Sequence, residues 1–240
     1  NTTRPEQTSN VYKDSNTKET EIAVNDENAD ARVNSFFAIS AILTAVLIIV
    51  WTLAPPADSG VDEGQLAPDI VAKSHENGNW NDFRLYDFIN HSWEQGQAGT
   101  FIFLQFMDTD CPHCWDDAPA MESIHSEFGE TVQFVTVSVG MLKATHSRAE
   151  TVAFQEKGDY DGCYQDSRNC NGRTGGPHNW PYVDDINLRA FNDYNPPGVP
   201  FHLLLSPDGI VVWNSALHQN HNDPLVEPGD AIAYHLSESA

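Results

Sequence analysis

Residues 100–139 read TFIFLQFMDTDCPHCWDDAPAMESIHSEFGETVQFVTVSV. The run Thr100–Phe106, just after Gly99, is apolar, β-rich and too short for an ordinary helix, which predicts a central strand. From Pro112 to Phe128, the residues Cys114, Ala118, Met121, His125 and Phe128 recur at spacings of four, three, four and three, which lines up one inward face of a helix. Val132–Val139 is β-branched and again strand-like, and Arg148–Lys157 is predicted to be a helix ending near Gly158. Phe201–Leu205, the turn Ser206-Pro207-Asp208-Gly209 and Ile210–Trp213 form a hairpin, with Pro228–Ser237 as a closing helix. The fold class is therefore α/β, with a mixed central sheet flanked by helices.

The chemistry lies where the first strand hands over to the helix. Thiol-disulfide exchange needs one accessible, ionisable sulfur and a second waiting beneath it to resolve the mixed disulfide. Cys111-Pro112-His113-Cys114 has the spacing for that pair. Pro112 suits the first helical position, where a missing N–H costs nothing, and this makes Cys111 the N-cap. A thiolate there can accept the free amides of His113 or Cys114 and meets the positive end of the helix dipole, so its pKa should fall. Pro112 and His113 tune the couple, His113 by adding a cation when protonated. Asp108, Asp110, Asp116 and Asp117 act in the opposite direction. Two other readings compete. A zinc half-site needs a second close-spaced pair, which Cys163 and Cys170 do not form, and no metal is expected. An inert disulfide leaves unexplained why the pair falls between a strand and an amphipathic helix.

Composition bounds the rest. With 12 Lys+Arg against 35 Asp+Glu and a formal charge of −23, the surface would repel a phosphate backbone, which excludes nucleic-acid binding. Four cysteines read as two local pairs with separate duties, and no cofactor is implied. Residues 1–34 are too polar for a core and read as a disordered tail. Residues 35–54 are predicted as a transmembrane helix, because FFAISAILTAVLIIVWTLA, residues 36–54, carries no charge and at about 1.5 Å per residue matches a bilayer core. A cleaved signal peptide is the rival reading, but the long polar leader fits an uncleaved anchor better. Lys18 and Arg32 before the span favour a cytoplasmic N-terminus. Residues 55–64 read as a linker, and 65–240 as an extracytoplasmic domain of a single-pass cell-membrane protein.

Over residues 64–240 the chain resembles the thioredoxin superfamily, and in particular its membrane-tethered TlpA/ResA-like branch. Gly64-Gln65-Leu66-Ala67-Pro68-Asp69 looks like that family's opening motif, Phe83–Phe88 like its next strand and short helix, and Pro119 like its helix-kinking proline. The resemblance implies a thioredoxin-like fold in which Gly198-Val199-Pro200 is the cis-proline loop facing the cysteines. In that family the loop's backbone pairs with substrate peptide and the residue before the proline tunes the centre, so Val199 and Pro200 are expected in the substrate groove. Three features depart from the family or divide it. Asp110 stands where the family often has Trp, Gln105 where thioredoxins carry a buried Asp, and Pro112-His113 is the dipeptide of DsbA-type oxidases. Residues 158–180 look like an insertion. Cys163 and Cys170 within it are expected to form a structural disulfide, with a second electron-relaying pair as the alternative.

These readings imply a membrane-anchored, extracytoplasmic oxidoreductase acting on protein thiols and disulfides together with a redox partner. Cys111 is the nucleophile, Cys114 the resolving cysteine, and the direction is open. The alternatives are a Sco-like copper-binding protein, against which the two-residue spacing argues, and a redox-inert adaptor. His218 and His221 are expected to be solvated. Trp115 is expected either to form part of a docking surface or to be buried.

Overall fold

β3 (Phe101–Met107) is buried along all 7 of its residues and organises the molecule. In the computed structural model, which describes residues 35–44, 58–143 and 146–239, it is an inner strand of a seven-stranded mixed sheet. The other strands are β1 (Val71–Glu76), β2 (Asn79–Arg84), β4 (Val132–Val139), β7 (Tyr182–Asp185), β8 (Phe201–Leu205) and β9 (Val211–Asn214), in the order β2-β1-β7-β4-β3-β8-β9. β4 runs parallel to β3 and to β7, while β8 is antiparallel to β3 and to β9. β5 (Asp161–Gly162) and β6 (Arg168–Asn169) pair separately. The helices that pack on this sheet include α1 (Pro112–Phe128), α2 (Arg148–Glu156), α3 (Arg189–Tyr194) and α4 (Pro228–Glu238). This is the α/β architecture with a mixed, helix-flanked sheet that the sequence pattern implies, in the thioredoxin-like arrangement that the resemblance implies.

The two-residue period of a strand divides the core. Phe101 and Phe103 of β3 join Phe134, Leu204, Trp213, Cys114, Ala118 and Met121 in one apolar layer, together with Ala231 and Ile232 of α4. Ile102, Leu104 and Phe106 face the other way, towards Val135, Val137, Ala190 and Tyr194. Gln105 must then share the α1 face with Phe103, which puts a buried polar group under the cysteines. α1 and β4 occupy the spans expected from the sequence, and α2 ends one residue earlier, where Lys157 adopts a left-handed conformation. β1, β7 and α3 add to the expected elements, while the end of β2 and the 3-10 helix Leu85–Phe88 fall where the resemblance placed a strand and a short helix. At the β8–β9 turn Gly209 has φ +87°, and a Cβ there would come within 2.6 Å of Ile89 Cδ1.

Residues 35–44 form a helix that exposes Phe36, Phe37, Ile39, Ile42 and Leu43. Among the described residues no helix is long and apolar enough to cross a membrane. The remainder of the predicted span (45–54), the tail 1–34 and residues 55–57 of the linker lie outside the described residues. Residues 58–64 do not hang free. The amide of Gly64 bonds the Val211 carbonyl at 2.8 Å, and Leu66 bridges Ile210.

Residues 158–180 are fastened from within. Cys163 and Cys170 are disulfide-bonded. The buried Arg173 guanidinium caps the end of α2, donating from Nε to the Phe154 carbonyl at 2.9 Å and from Nη2 to that of Gln155 at 3.4 Å. It also donates to the carbonyls of Thr174 at 3.0 Å and Gly176 at 2.7 Å. Replacing Arg173 with Met removes donors from buried carbonyls and should cost about 3 kcal/mol, seen as a lower midpoint in denaturant unfolding with an unchanged slope. An unchanged midpoint would show that the cap does not stabilise the fold.

Candidate active site

Cys111 is the N-cap of α1, with φ −80° and ψ 118°, and Pro112 stands in the first helical turn. Both Cys111 and Cys114 are free thiols buried in the α1-side core. The Val199–Pro200 peptide is cis, and the Cys111 Sγ donates to the Val199 carbonyl at 3.3 Å. The loop identified from resemblance therefore meets the first cysteine directly. Val199, Pro200, His202, Ser215 and Gln219 line an open groove of about 400 Å³ beside it. A larger cleft of about 580 Å³ among Asp69, Lys73, Asp82, Arg148 and Asp184 lies at the β1–β2 edge of the sheet, away from the sulfurs. Within it Lys73 pairs with Asp82 and Arg148 with Asp184.

The two thiols are pushed apart in acidity. The Cys111 pKa falls to about 6, chiefly because the Cys114 thiol donates to it; burial opposes the shift, and the amides of Cys114 and His113 and the His113 charge support it. Burial raises the Cys114 pKa, and hydrogen bonding to Cys111 and the nearby Cys111 and Asp117 charges add to the rise. A thiol near 6 is mostly thiolate at pH 7, whereas its neighbour remains a proton-bearing reserve.

Beneath the pair lies a polar network. Gln105 Nε2 donates to Asp117 Oδ2 at 2.8 Å, and His202 Nε2 lies 3.0 Å from the same oxygen. Thr136 donates to Gln105 Oε1 at 3.0 Å, and the Trp180 indole donates to Thr136 at 2.8 Å. Gln105 removes the carboxylate from its usual strand position, yet α1 returns one at Asp117, three residues after Cys114 and so on the same helix face. The helix period could have revealed Asp117, and the strand period His202, two residues past Pro200. Lys143 and Glu150, described below, carried no sequence signal.

No family model matches the chain, and no curated protein matches its sequence. Solved structures share the fold. An uncharacterised protein of Sinorhizobium meliloti superposes with a TM-score of 0.51 at 15% identity, covering 75% of this chain and 85% of its own. A conserved protein of Geobacillus kaustophilus gives 0.50 at 15% identity, with 75% and 82% covered. The thioredoxin domain of a thiol-disulfide oxidoreductase from Bacteroides vulgatus gives 0.47 at 16% identity, with 75% and 99% covered. At these identities the likeness to the first two is one of fold alone, and the third, below 0.5, adds nothing to it.

The structure thus gathers Cys111, Pro112, His113, Cys114, Val199 and Pro200 in one place, with the bonded Cys163–Cys170 pair flanking them. Trp115 is buried, with its indole donating to the Thr109 carbonyl at 2.7 Å, so it fixes the cysteine loop rather than docking a partner. His218 departs from the solvated expectation. It bridges Glu63 at 2.7 Å and Asp223 at 2.8 Å, clasping the segment before β1 to the loop after β9. Sequence distance hid Glu63 as a partner. His221 is exposed. Among the described residues no group of three His, Cys, Asp or Glu is placed to hold a metal ion.

The Cys111 shift has a definite sign. Its folded pKa lies below the unfolded value near 8.5, so ionisation stabilises the reduced fold most fully above that unfolded value, and the contribution is lost as pH falls through about 6. Alkylation of Cys111 in the reduced protein should be half-maximal near pH 6, and His113→Ala should move that midpoint upward. A midpoint near pH 8.5 would remove the helix-start activation.

Proposed function

We propose that this protein exchanges disulfides with protein substrates through Cys111 and Cys114. The observation that carries the reading is the acidified Cys111 sulfur at a helix start, in contact with the cis-proline loop and backed by the buried, proton-bearing Cys114. In the reducing direction the Cys111 thiolate attacks one sulfur of a substrate disulfide. The S–S bond breaks, a mixed disulfide forms, and the departing substrate thiolate takes a proton. Cys114 then loses its proton, attacks the Cys111 sulfur and releases the second substrate thiol, leaving Cys111–Cys114 oxidised. Asp117 is the acceptor we assign for the Cys114 proton, with Gln105 and His202 orienting its carboxylate. The oxidising direction is the same path reversed. A Cys111 value of about 6 lies between the reference thiols of thioredoxin, near 7, and DsbA, near 3.5.

Docking follows from the groove. An extended peptide laid along Val199 can pair with the loop backbone, and the groove's open form suits a protein segment better than a small molecule. Membrane tethering belongs to the same proposal. Its support is the charge-free run 36–54 and the apolar side chains exposed along 35–44.

Cys111→Ser should abolish insulin-disulfide reduction, and Cys114→Ala should accumulate mixed disulfides through Cys111 on non-reducing gels. Full activity in the Cys111 variant would end the proposal. Asp117→Asn should slow resolution about 100-fold or more while leaving Cys111 alkylation nearly unchanged, as loss of a proton acceptor predicts. In membrane fractionation the full chain should resist carbonate extraction, and a chain lacking residues 36–54 should be released.

A further inference from the structure

The turn inside the Cys163–Cys170 disulfide has an unusual backbone. Tyr164, Gln165 and Asp166 have φ of 56°, 58° and 59°, three consecutive non-glycine residues in the left-handed region. Side chains disfavour that region, and such a run persists only where its surroundings over-determine it. Here the surroundings are the disulfide and the loop that leads into the redox cysteines. The Tyr164 amide donates to the Thr109 carbonyl at 3.3 Å, and the Gln165 amide to Asp110 Oδ1 at 2.7 Å. Asp166 pairs with Lys143 at 3.1 Å, and the Lys143 ammonium also lies 3.5 Å from Asp110 and 3.1 Å from Glu150.

Asp110 immediately precedes Cys111 and is fully buried. Its Oδ2 accepts no hydrogen bond among the described residues, so the Gln165 amide is the bond that keeps the carboxylate in place. Asp108 offers no replacement bond, because its carboxylate only accepts, taking the amides of Asp110, Met141 and Leu142. Glu150 also has an oxygen without a partner. Two buried carboxylates thus share one ammonium with the exposed Asp166. The remaining charged or titratable neighbours are His146, which bonds Thr109, Arg168, which lies over Tyr164 and Trp115, and His113 in the first turn of α1.

We propose that the disulfide-closed turn is a positioning arm of the redox centre, which uses the Gln165 amide and Lys143 to hold the Asp110 carboxylate charged beside Cys111. This rests on Cys111 being the exchanging thiol, and it gives the second cysteine pair a role beyond local bracing. With the turn in place, a fixed negative charge restrains ionisation of the neighbouring sulfur. With the turn open, Asp110 loses its amide, and a buried carboxylate without partners takes up a proton or swings into water. Protonation removes the charge and the swing into water takes it away from the sulfur, so in either case the thiolate forms more readily and the reduced dithiol is favoured.

The test is the pH profile of Cys111 alkylation in the full reduced chain, with the modified residue assigned by mass spectrometry. The Cys163–Cys170 bond is kept intact by selective reduction, and the variants are Asp110→Asn, the double change Cys163→Ser with Cys170→Ser, and the combination. Asp110→Asn and the disulfide-free chain should each lower the midpoint, by up to about 1 pH unit, the order of shift that one neighbouring like charge produces. The combination should fall no further than either alone, because both changes remove the same interaction. Additive shifts, or an unmoved midpoint in Asp110→Asn, would overturn the proposal. Asp110→Asn keeps every cysteine, so it decides the matter even where the disulfide-free chain does not fold. Alkylation needs no substrate, so a chain that shows these shifts but reduces no disulfide sinks the functional reading and leaves the positioning role standing.

Discussion

A thiolate formed in a crowded, partly dry site must be compensated locally, and at Cys111 the compensation comes from the start of one helix. The Cys114 thiol and the amides of His113 and Cys114 face the sulfur, and Pro112 leaves no competing amide ahead of them. The rest of the structure depends on holding that helix start still. β3 does so from behind, because it is buried on both faces and cannot shift without exposing two apolar layers at once. The Asp108 carboxylate does so from the side, accepting the Asp110 amide within the cysteine loop and tying that loop to the backbone after β4 through the amides of Met141 and Leu142.

The surrounding acids are then less contradictory than their number suggests. Asp108 is occupied by amides and Asp117 by Gln105 and His202, while Asp116 is exposed. Each negative group thus has a separate partner or a separate distance from the sulfur. Asp110 and Glu150 are the exceptions, since each is fully buried with one unbonded oxygen, and burial raises the pKa of both. Natural folds rarely leave such atoms without a role, because an unsatisfied buried carboxylate costs more than a well-packed apolar side chain.

Much of the scaffold was legible along the chain because its elements obey simple periods. β3, α1, β4 and the β8–β9 hairpin are strongly apolar or strictly periodic, and they lie close to their expected spans. β1 and β2 were harder to see. VAKSHE and NWNDFR are polar strands at the sheet edge with mixed burial, so their hydrophobic alternation is weak. β7 is four residues long and α3 six, too short for a period to register.

The sequence by itself determined the chemistry on offer: two sulfurs three residues apart at a strand-to-helix junction, a proline at the first helical position, and an acidic surface unsuited to nucleic acid. These are local facts, decided by neighbours within a few residues. Only the tertiary structure decided which groups attend the sulfurs. Val199 reaches Cys111 across 88 positions, His202 reaches Asp117 across 85, and Gln165 reaches Asp110 across 55. Electrostatics in a buried site depends on distance in space and on the absence of water, and neither can be read from separation along the chain.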